Sequence, residues 1–286
     1  MISASKLSKL YHDACDIELQ AFKPGNVSVY AEGHDMTIKD FQLSAMASMT
    51  PITNPNYSLG EKIYYAVKNT RDRVGCNTNL GIILLCAPLI QALSTMSKGE
   101  DFRERLSKVL HATTRSDANW VFKAITLASP GGLGESAEAD VHTVAQITLI
   151  DAMKIAENKD RVALQYTTNF KDIFDFSILR YNDAFKKWGD LNWSAVASYS
   201  ALLSKFPDSH IERKYGNKYT EEVQIQMRLL NDILLSTDKP QQHEAMLYEI
   251  DTTFKKSGIN PGTTADLTVA TIFVFLAERM LRTVGL

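Results

Sequence analysis

The chain has 286 residues, 45% of them hydrophobic and 22% charged, with a formal net charge of −2 and a pI near 6.3. That is long enough to bury a substantial core and too polar for a membrane protein. The near-neutral balance supplies no overall basic field to draw in nucleic acid. Cys15, Cys76 and Cys86 form no CxxC pair, so neither a disulfide framework nor a zinc knuckle is expected. The opening Met1-Ile2-Ser3-Ala4-Ser5-Lys6 lacks the apolar stretch of a signal peptide, and a cytoplasmic protein is expected.

Helical periodicity dominates from the first element onward. Residues 3–22 place Leu7, Leu10, Tyr11, Ala14, Ile17 and Ala21 on one helix face. Further helices are predicted over 38–49, 61–71, 80–93, 101–111, 116–127, 135–157, 165–172, 174–188, 193–205, 221–235, 241–257 and 264–282. The two most apolar segments, about 80–93 and 267–281, fall short of the ~20 residues a membrane span needs and read as buried helices. Only 27–30 offers a candidate strand, and it reads equally as extended loop. Glycine and proline collect between helices, with no linker, repeat or composition shift. The expectation is one all-α domain over 1–286.

Five polar clusters punctuate the helices. The first carries Glu18, Lys23-Pro24-Gly25-Asn26 and His34-Asp35-Met36. Proline and glycine fix a bend from which Lys23, Gly25 and backbone N–H groups face an anion, while carboxylates hold a metal. A plain turn with a solvated lysine has the same sequence. The second, Gly75-Cys76-Asn77-Thr78-Asn79-Leu80-Gly81, leads into an apolar helix whose N-terminus suits phosphate, with simple capping as the alternative. The third puts Gly131, Gly132 and Gly134 before Glu135, Glu138 and Asp140. It is neither a P-loop nor a dinucleotide fingerprint. Carboxylates beside a phosphate-cradling loop suit Mg²⁺, although an acidic first turn also favours the helix dipole. The fourth runs from Asp208 through His210 and Glu212 to Arg213, which is also how a surface ion-pair helix reads. In the fifth, Asn260-Pro261-Gly262 precedes Asp266 early in a helix.

Taken in order, these clusters resemble the triphosphoribosyl-dephospho-CoA synthase family. The matching elements are Lys23-Pro24-Gly25 with Asp35-Met36, Gly75-x-Asn77-Thr78-x-x-Gly81, Gly134-Glu135 with Ala137, Asp208 to Arg213, and Pro261-Gly262 with Ala265-Asp266-Leu267. The resemblance covers roughly 18–275. Members of the family tend to carry His-Lys where this chain has Asn79-Leu80, arginine where it has Leu133, and aspartate where it has Ser28.

The resemblance implies an all-α transferase. The 2′-hydroxyl of 3′-dephospho-CoA attacks C1′ of the ATP ribose and adenine leaves, with Mg²⁺ accompanying ATP. On that basis Glu18, Asp35, Glu135 and Asp208 are the candidate catalytic residues. Asp35, Glu135, Glu138 and Asp208 are the candidate metal ligands. Lys23, Gly25, Asn77, Thr78, Asn79, Gly131, Gly132, Gly134, His210, Arg213 and Asp266 are the candidate substrate and phosphate contacts. The expected partners are a nucleotide and a phosphorylated small molecule, without nucleic acid or membrane; homo-oligomerisation stays open. The altered positions leave two alternatives. One is a transferase or ligase on another phosphorylated acceptor, such as a one-carbon carrier; the other is a helical nucleotide-binding protein without turnover.

Overall fold

A computed structural model of the protein describes residues 2–33, 36–130 and 140–284. Helix accounts for 73% of the described residues. The helices are α1 (Ala4–Gln20), α2 (Ile38–Ile52), α3 (Leu59–Val74), α4 (Leu80–Thr95), α5 (Phe102–His111), α6 (Arg115–Ala128), α7 (Leu149–Ala156), α8 (Arg161–Thr167), α9 (Ile178–Trp188), α10 (Leu191–Lys205), α11 (Ser209–Tyr215), α12 (Thr220–Ser236), α13 (Glu244–Lys256) and α14 (Gly262–Val284). Among the described residues there is no strand, only two isolated bridges, Ser28 to Ala31 and Gly33 to Met36. The all-α expectation holds, and the candidate strand at 27–30 is a tight turn.

Local chemistry starts these helices. Thr37 with Asp40, Ser58 with Glu61 and Thr114 with Asp117 form reciprocal capping boxes, each stabilising its helix by about 1 kcal/mol. Gly75 and Gly189 end α3 and α9 in the left-handed conformation.

Packing is organised around α4 and α14. Twelve of the sixteen residues of α4 are buried, including Ile83, Leu85, Cys86 and Leu89. The middle of α14 is equally enclosed, from Leu267 through Val269, Ile272 and Phe273 to Ala277. A helix buried all round needs no polar face, which is why these two segments read as apolar runs rather than as stripes. Around them, α1 packs against α14 and α2, α3 lies between α2 and α6, and α10 bridges α9 and α12. No described helix is long and apolar enough to cross a membrane.

Three predicted elements differ. Of the helix expected over 135–157, residues 135–139 lie outside the described residues, 140–148 are not helical, and α7 begins at Leu149, where Thr148 caps it through Asp151 N–H. Upstream, the Asp140 carboxylate accepts from His142 N–H at 2.8 Å, a local turn that competes with helix. The helix expected over 165–172 is α8, shifted toward the N-terminus and broken where Asn169 and Phe170 take positive φ. A single π-helical turn, Ile173–Ser177, then leads into α9. Residues 209–215 form the short α11.

Candidate active site

Four of the five polar clusters meet at the N-terminus of α14. The Lys-Pro-Gly turn follows α1 and locks onto the Asn-Pro-Gly turn before α14. Asn26 Nδ2 donates to Asn260 Oδ1 at 2.8 Å, and Gly25 N–H donates to Asp251 Oδ1 at 2.8 Å. Gly25 has φ +83°, and a Cβ there would lie 2.9 Å from Pro261 Cδ, so both backbone and space demand glycine. Tyr199 holds the turn from α10 by donating to Pro24 O at 2.8 Å.

Lys23 sits inside this turn, fully buried. Its Nζ donates to the carbonyls of Glu18, Ala21 and Val27 at 2.7–3.2 Å and lies 3.2 Å from Glu18 Oε1. The expectation that Lys23 faces an anion is therefore corrected. The ammonium closes off the C-terminal carbonyls of α1, as cations at helix ends do. Burial raises the pKa of Glu18 and lowers that of Lys23, and the ion pair opposes both shifts.

The second cluster opens α4. Asn77 Oδ1 accepts from Leu80 N–H at 3.2 Å, so Asn77 is the cap. Thr78 Oγ1 lies 2.5 Å from Ser44 Oγ. Asn79 caps nothing; its Nδ2 donates to Ser48 Oγ at 3.2 Å and Ser44 O at 3.4 Å, and Tyr11 meets Ser48 at 2.9 Å from α1. Leu80 is buried in the core.

The fourth and fifth clusters share Asp208. Its Oδ1 accepts from His210 and Ile211 N–H, starting α11, and its Oδ2 accepts from Thr264 N–H and Oγ1 at 2.7 Å each, starting α14. One carboxylate thus caps two helices and has its acceptor sites filled. The expectation of Asp208 as base or metal ligand is corrected to this structural role. His210 packs on the start of α14: a Cβ at Gly262 would lie 3.1 Å from its Nδ1. Arg213 Nη1 pairs with Asp160 Oδ2 at 2.5 Å, while Asp160 Oδ1 caps α8.

Asp266 stands apart. It lies in the first turn of α14, partly exposed, against the N-terminus of α4. A Cβ at Gly81 would lie 1.9 Å from its Oδ2, so only glycine at 81 admits this carboxylate. Its pKa is raised well above the usual carboxylate range by desolvation first, then by Glu18 and Asp208, with Arg213 pulling the other way. Next to it, α1, α2 and α4 enclose a cleft whose polar lining is His12, Cys15, Asp16, Glu18, Gln42 and Asn79. The cleft holds about 30 Å³, room for a water molecule. His12, Cys15, Asp16 and Leu19 follow i, i+3, i+4, i+7 spacing beside the apolar face of α1. That spacing is visible in the sequence, where it is indistinguishable from the solvated flank of an amphipathic helix.

Asp35, Gly131, Gly132, Gly134, Glu135 and Glu138 lie outside the described residues. Among the described ones no group of three acidic, histidine or cysteine side chains is arranged to hold a metal ion.

A carboxylate biased toward its protonated form, ringed by other carboxylates at a helix N-terminus, is equipped for proton handling at a developing cation. That is the equipment of a group-transfer enzyme. The sequence profile of the CitG family, ATP:dephospho-CoA triphosphoribosyl transferase, matches residues 4–283, and the chain belongs to that family. It is a transferase of the family that uses ATP and dephospho-CoA. Comparison with curated proteins gives no match. Among solved structures, the chain is similar to a protein from Archaeoglobus fulgidus designated as a candidate triphosphoribosyl-dephospho-CoA synthase. The two share 27% identity with a TM-score of 0.64, over 82% of this chain and 97% of the other.

Proposed function

We propose that the protein transfers the triphosphoribosyl group of ATP to the 2′-hydroxyl of 3′-dephospho-CoA, with Asp266 as the proton acceptor. The observation carrying this is Asp266 itself: desolvated, pressed against Gly81, and opposed only by Arg213, a cation already paired with Asp160. The bond from the acceptor oxygen to C1′ forms as the bond from C1′ to the adenine nitrogen breaks. The fraction of Asp266 that is ionised accepts the hydroxyl proton, and the departing adenine takes its proton from water. A raised pKa makes the ionised carboxylate a stronger base, and the surrounding negative charge of Glu18 and Asp208 favours oxocarbenium character at C1′.

ATP enters with Mg²⁺ as part of the substrate, in a protein taken to be cytoplasmic. The described residues offer no fit for a protein-held ion, since the Asp208 oxygens are committed to four donors. Phosphate contacts fall to the backbone end of α4 near Asn77–Asn79 and to Arg213, which reaches a phosphate by giving up Asp160.

A second reading concerns the acceptor. Asn79 is turned toward Ser48 and Leu80 is in the core, so neither position offers the positive charge that the family resemblance implies there. This favours an acceptor other than dephospho-CoA, with the same loss of adenine. Incubation with Mg·ATP and 3′-dephospho-CoA should release adenine, and Asp266→Asn should lower the rate ~100-fold or more while leaving ATP affinity within about threefold. Adenine released only with another phosphorylated alcohol selects the second reading. Phosphate or ADP as the product instead of adenine rejects both.

A further inference from the structure

We propose that the cleft between α9, α10 and α12 is a second ligand site, taking a phosphorylated small molecule that carries an apolar or aromatic arm. One end of the cleft is lined by Arg180, Lys205, Arg228, Ser204, Gln224 and Asn231, over a volume of about 430 Å³. Three cationic side chains, two amides and a hydroxyl converge there, and no carboxylate is among the lining residues. That volume is within the range of small-molecule sites.

What separates the cleft from an ordinary charged surface is that its three cations, brought in from three helices, line one concave site with no carboxylate among them. Five of the eleven arginines, Arg103, Arg105, Arg161, Arg213 and Arg282, have a carboxylate partner, and neither arginine of the cleft is among them. Arg180 donates instead to the neutral Asn231 Oδ1 at 3.2 Å, which leaves the Asn231 amide N–H₂ as a further donor. Lys205 Nζ lies over the Phe176 ring at 4.1 Å. Lys205 ends α10, and the helix dipole explains one cation at that place. It does not explain two arginines brought in from α9 and α12. Guanidinium groups present paired N–H donors matched to phosphate oxygens.

The cleft continues past Arg180 and Asn231, which line both halves, into a second hollow of about 140 Å³. There the lining turns apolar, with Ala184, Trp188, Ala197, Leu234 and Leu235, and Asp183 and Lys187 complete it. Lys187 is engaged by Asp238 and by Leu235 O, and Trp188 Nε1 by Thr237 O. The Trp188 ring is thereby held in place beside the basic end. A ligand spanning both halves puts its phosphate on Arg180, Lys205 and Arg228 and its apolar arm on Trp188 and Leu234. This site lies across α10 from Asp266 and uses none of the residues assigned to the transfer.

The test uses 1-naphthyl phosphate, with inorganic phosphate as the arm-free comparison. Hydrogen exchange of the full chain should show protection of residues 178–188 and 224–235 with 1-naphthyl phosphate. Titration calorimetry should give at least tenfold tighter binding than for inorganic phosphate. The double variant Arg180→Gln, Arg228→Gln should weaken binding at least tenfold while ATP binding stays unchanged. Trp188→Ala should bring the two probes to within about threefold of each other. No protection of those helices at saturating 1-naphthyl phosphate, or equal affinity in the double variant, overturns the proposal. A protein partner or a second copy of the chain as the true occupant would give the first of those results.

Discussion

Among the described residues two lysines, Lys23 and Lys62, are buried, and they differ in what surrounds the charge. Lys23 has three carbonyls and a carboxylate within reach, so its ammonium is solvated by the protein. Lys62, on α3, is 1% exposed, and its one described partner is the neutral Gln91 Oε1 at 2.5 Å. Burial pushes the Lys62 amine down to about 8. In the unfolded chain the same amine titrates near 10.4. Between those values the unfolded state binds more protons, so this group makes stability rise with pH there. Below pH ~8 both states are charged, and the cost of burying the ammonium is felt in full. Lys62→Met should raise the unfolding free energy at pH 7 by about 1–3 kcal/mol. It should also flatten the rise of stability between about pH 8 and 10.4, and urea unfolding across that range checks both. Unchanged stability together with an unchanged pH profile would mean that water or another group solvates the amine. The sequence announced Lys23 through its Lys-Pro-Gly context and gave no sign of Lys62. A single lysine on an amphipathic helix looks solvated until the neighbouring helices are placed.

At the scale of elements, the contact between α4 and α14 positions the reacting group. Gly81 is the second residue of α4, where a glycine serves the helix poorly. Its missing Cβ is occupied by Asp266, whose Oδ2 and Cγ would lie 1.9 and 2.5 Å from a methyl at that point. Gly81→Ala must displace the carboxylate or part the helices, so it should cost about 1–3 kcal/mol of stability and lower turnover ~100-fold. Adding Asp266→Ala to Gly81→Ala should restore most of the stability but none of the turnover. Strictly additive losses in that double-mutant cycle would deny the contact. The motif Gly75-x-Asn77-Thr78-x-x-Gly81 was legible as a phosphate-type helix start, and its capping by Asn77 follows from residue type. The partner that requires Gly81 lies 185 positions further along the chain, and no local pattern connects the two. In the same way, Asp208 looked like a spare carboxylate because its second helix, α14, is distant in sequence. Over 140–148 the expected helix failed for a local reason: the apolar periodicity continues there, and the Asp140 turn and the Thr148 cap outweigh it.

For the whole molecule, the candidate site is a junction. The ends of α1 and α13 and the beginnings of α4, α11 and α14 meet there through Gly25–Asp251, Asn26–Asn260, Asp208–Thr264 and Gly81–Asp266. The sequence carried the motifs and their order, and the apolar runs of α4 and α14 foretold the buried pair that brings them together. Convergence itself belongs to tertiary packing. A ligand bound at such a junction touches elements from both ends of the chain, so its binding free energy is felt by the global unfolding transition. A ligand that binds only the native state stabilises it by mass action, by about 2.7 kcal/mol at a concentration 100 times its Kd. For a chain of this size each kcal/mol moves Tm by roughly 2–4 °C. Mg·ATP at saturation should therefore raise Tm by about 5–10 °C. Asp266→Asn should keep that shift, because the residue handles a proton and not the phosphates. Arg213→Gln should reduce it by at least half, because its guanidinium can exchange Asp160 for a phosphate. Differential scanning calorimetry of the three proteins separates these effects. A shift lost in Asp266→Asn but kept in Arg213→Gln would reverse the assignment of the two residues. No shift in any of them, with no heat of binding, would remove nucleotide from the junction altogether.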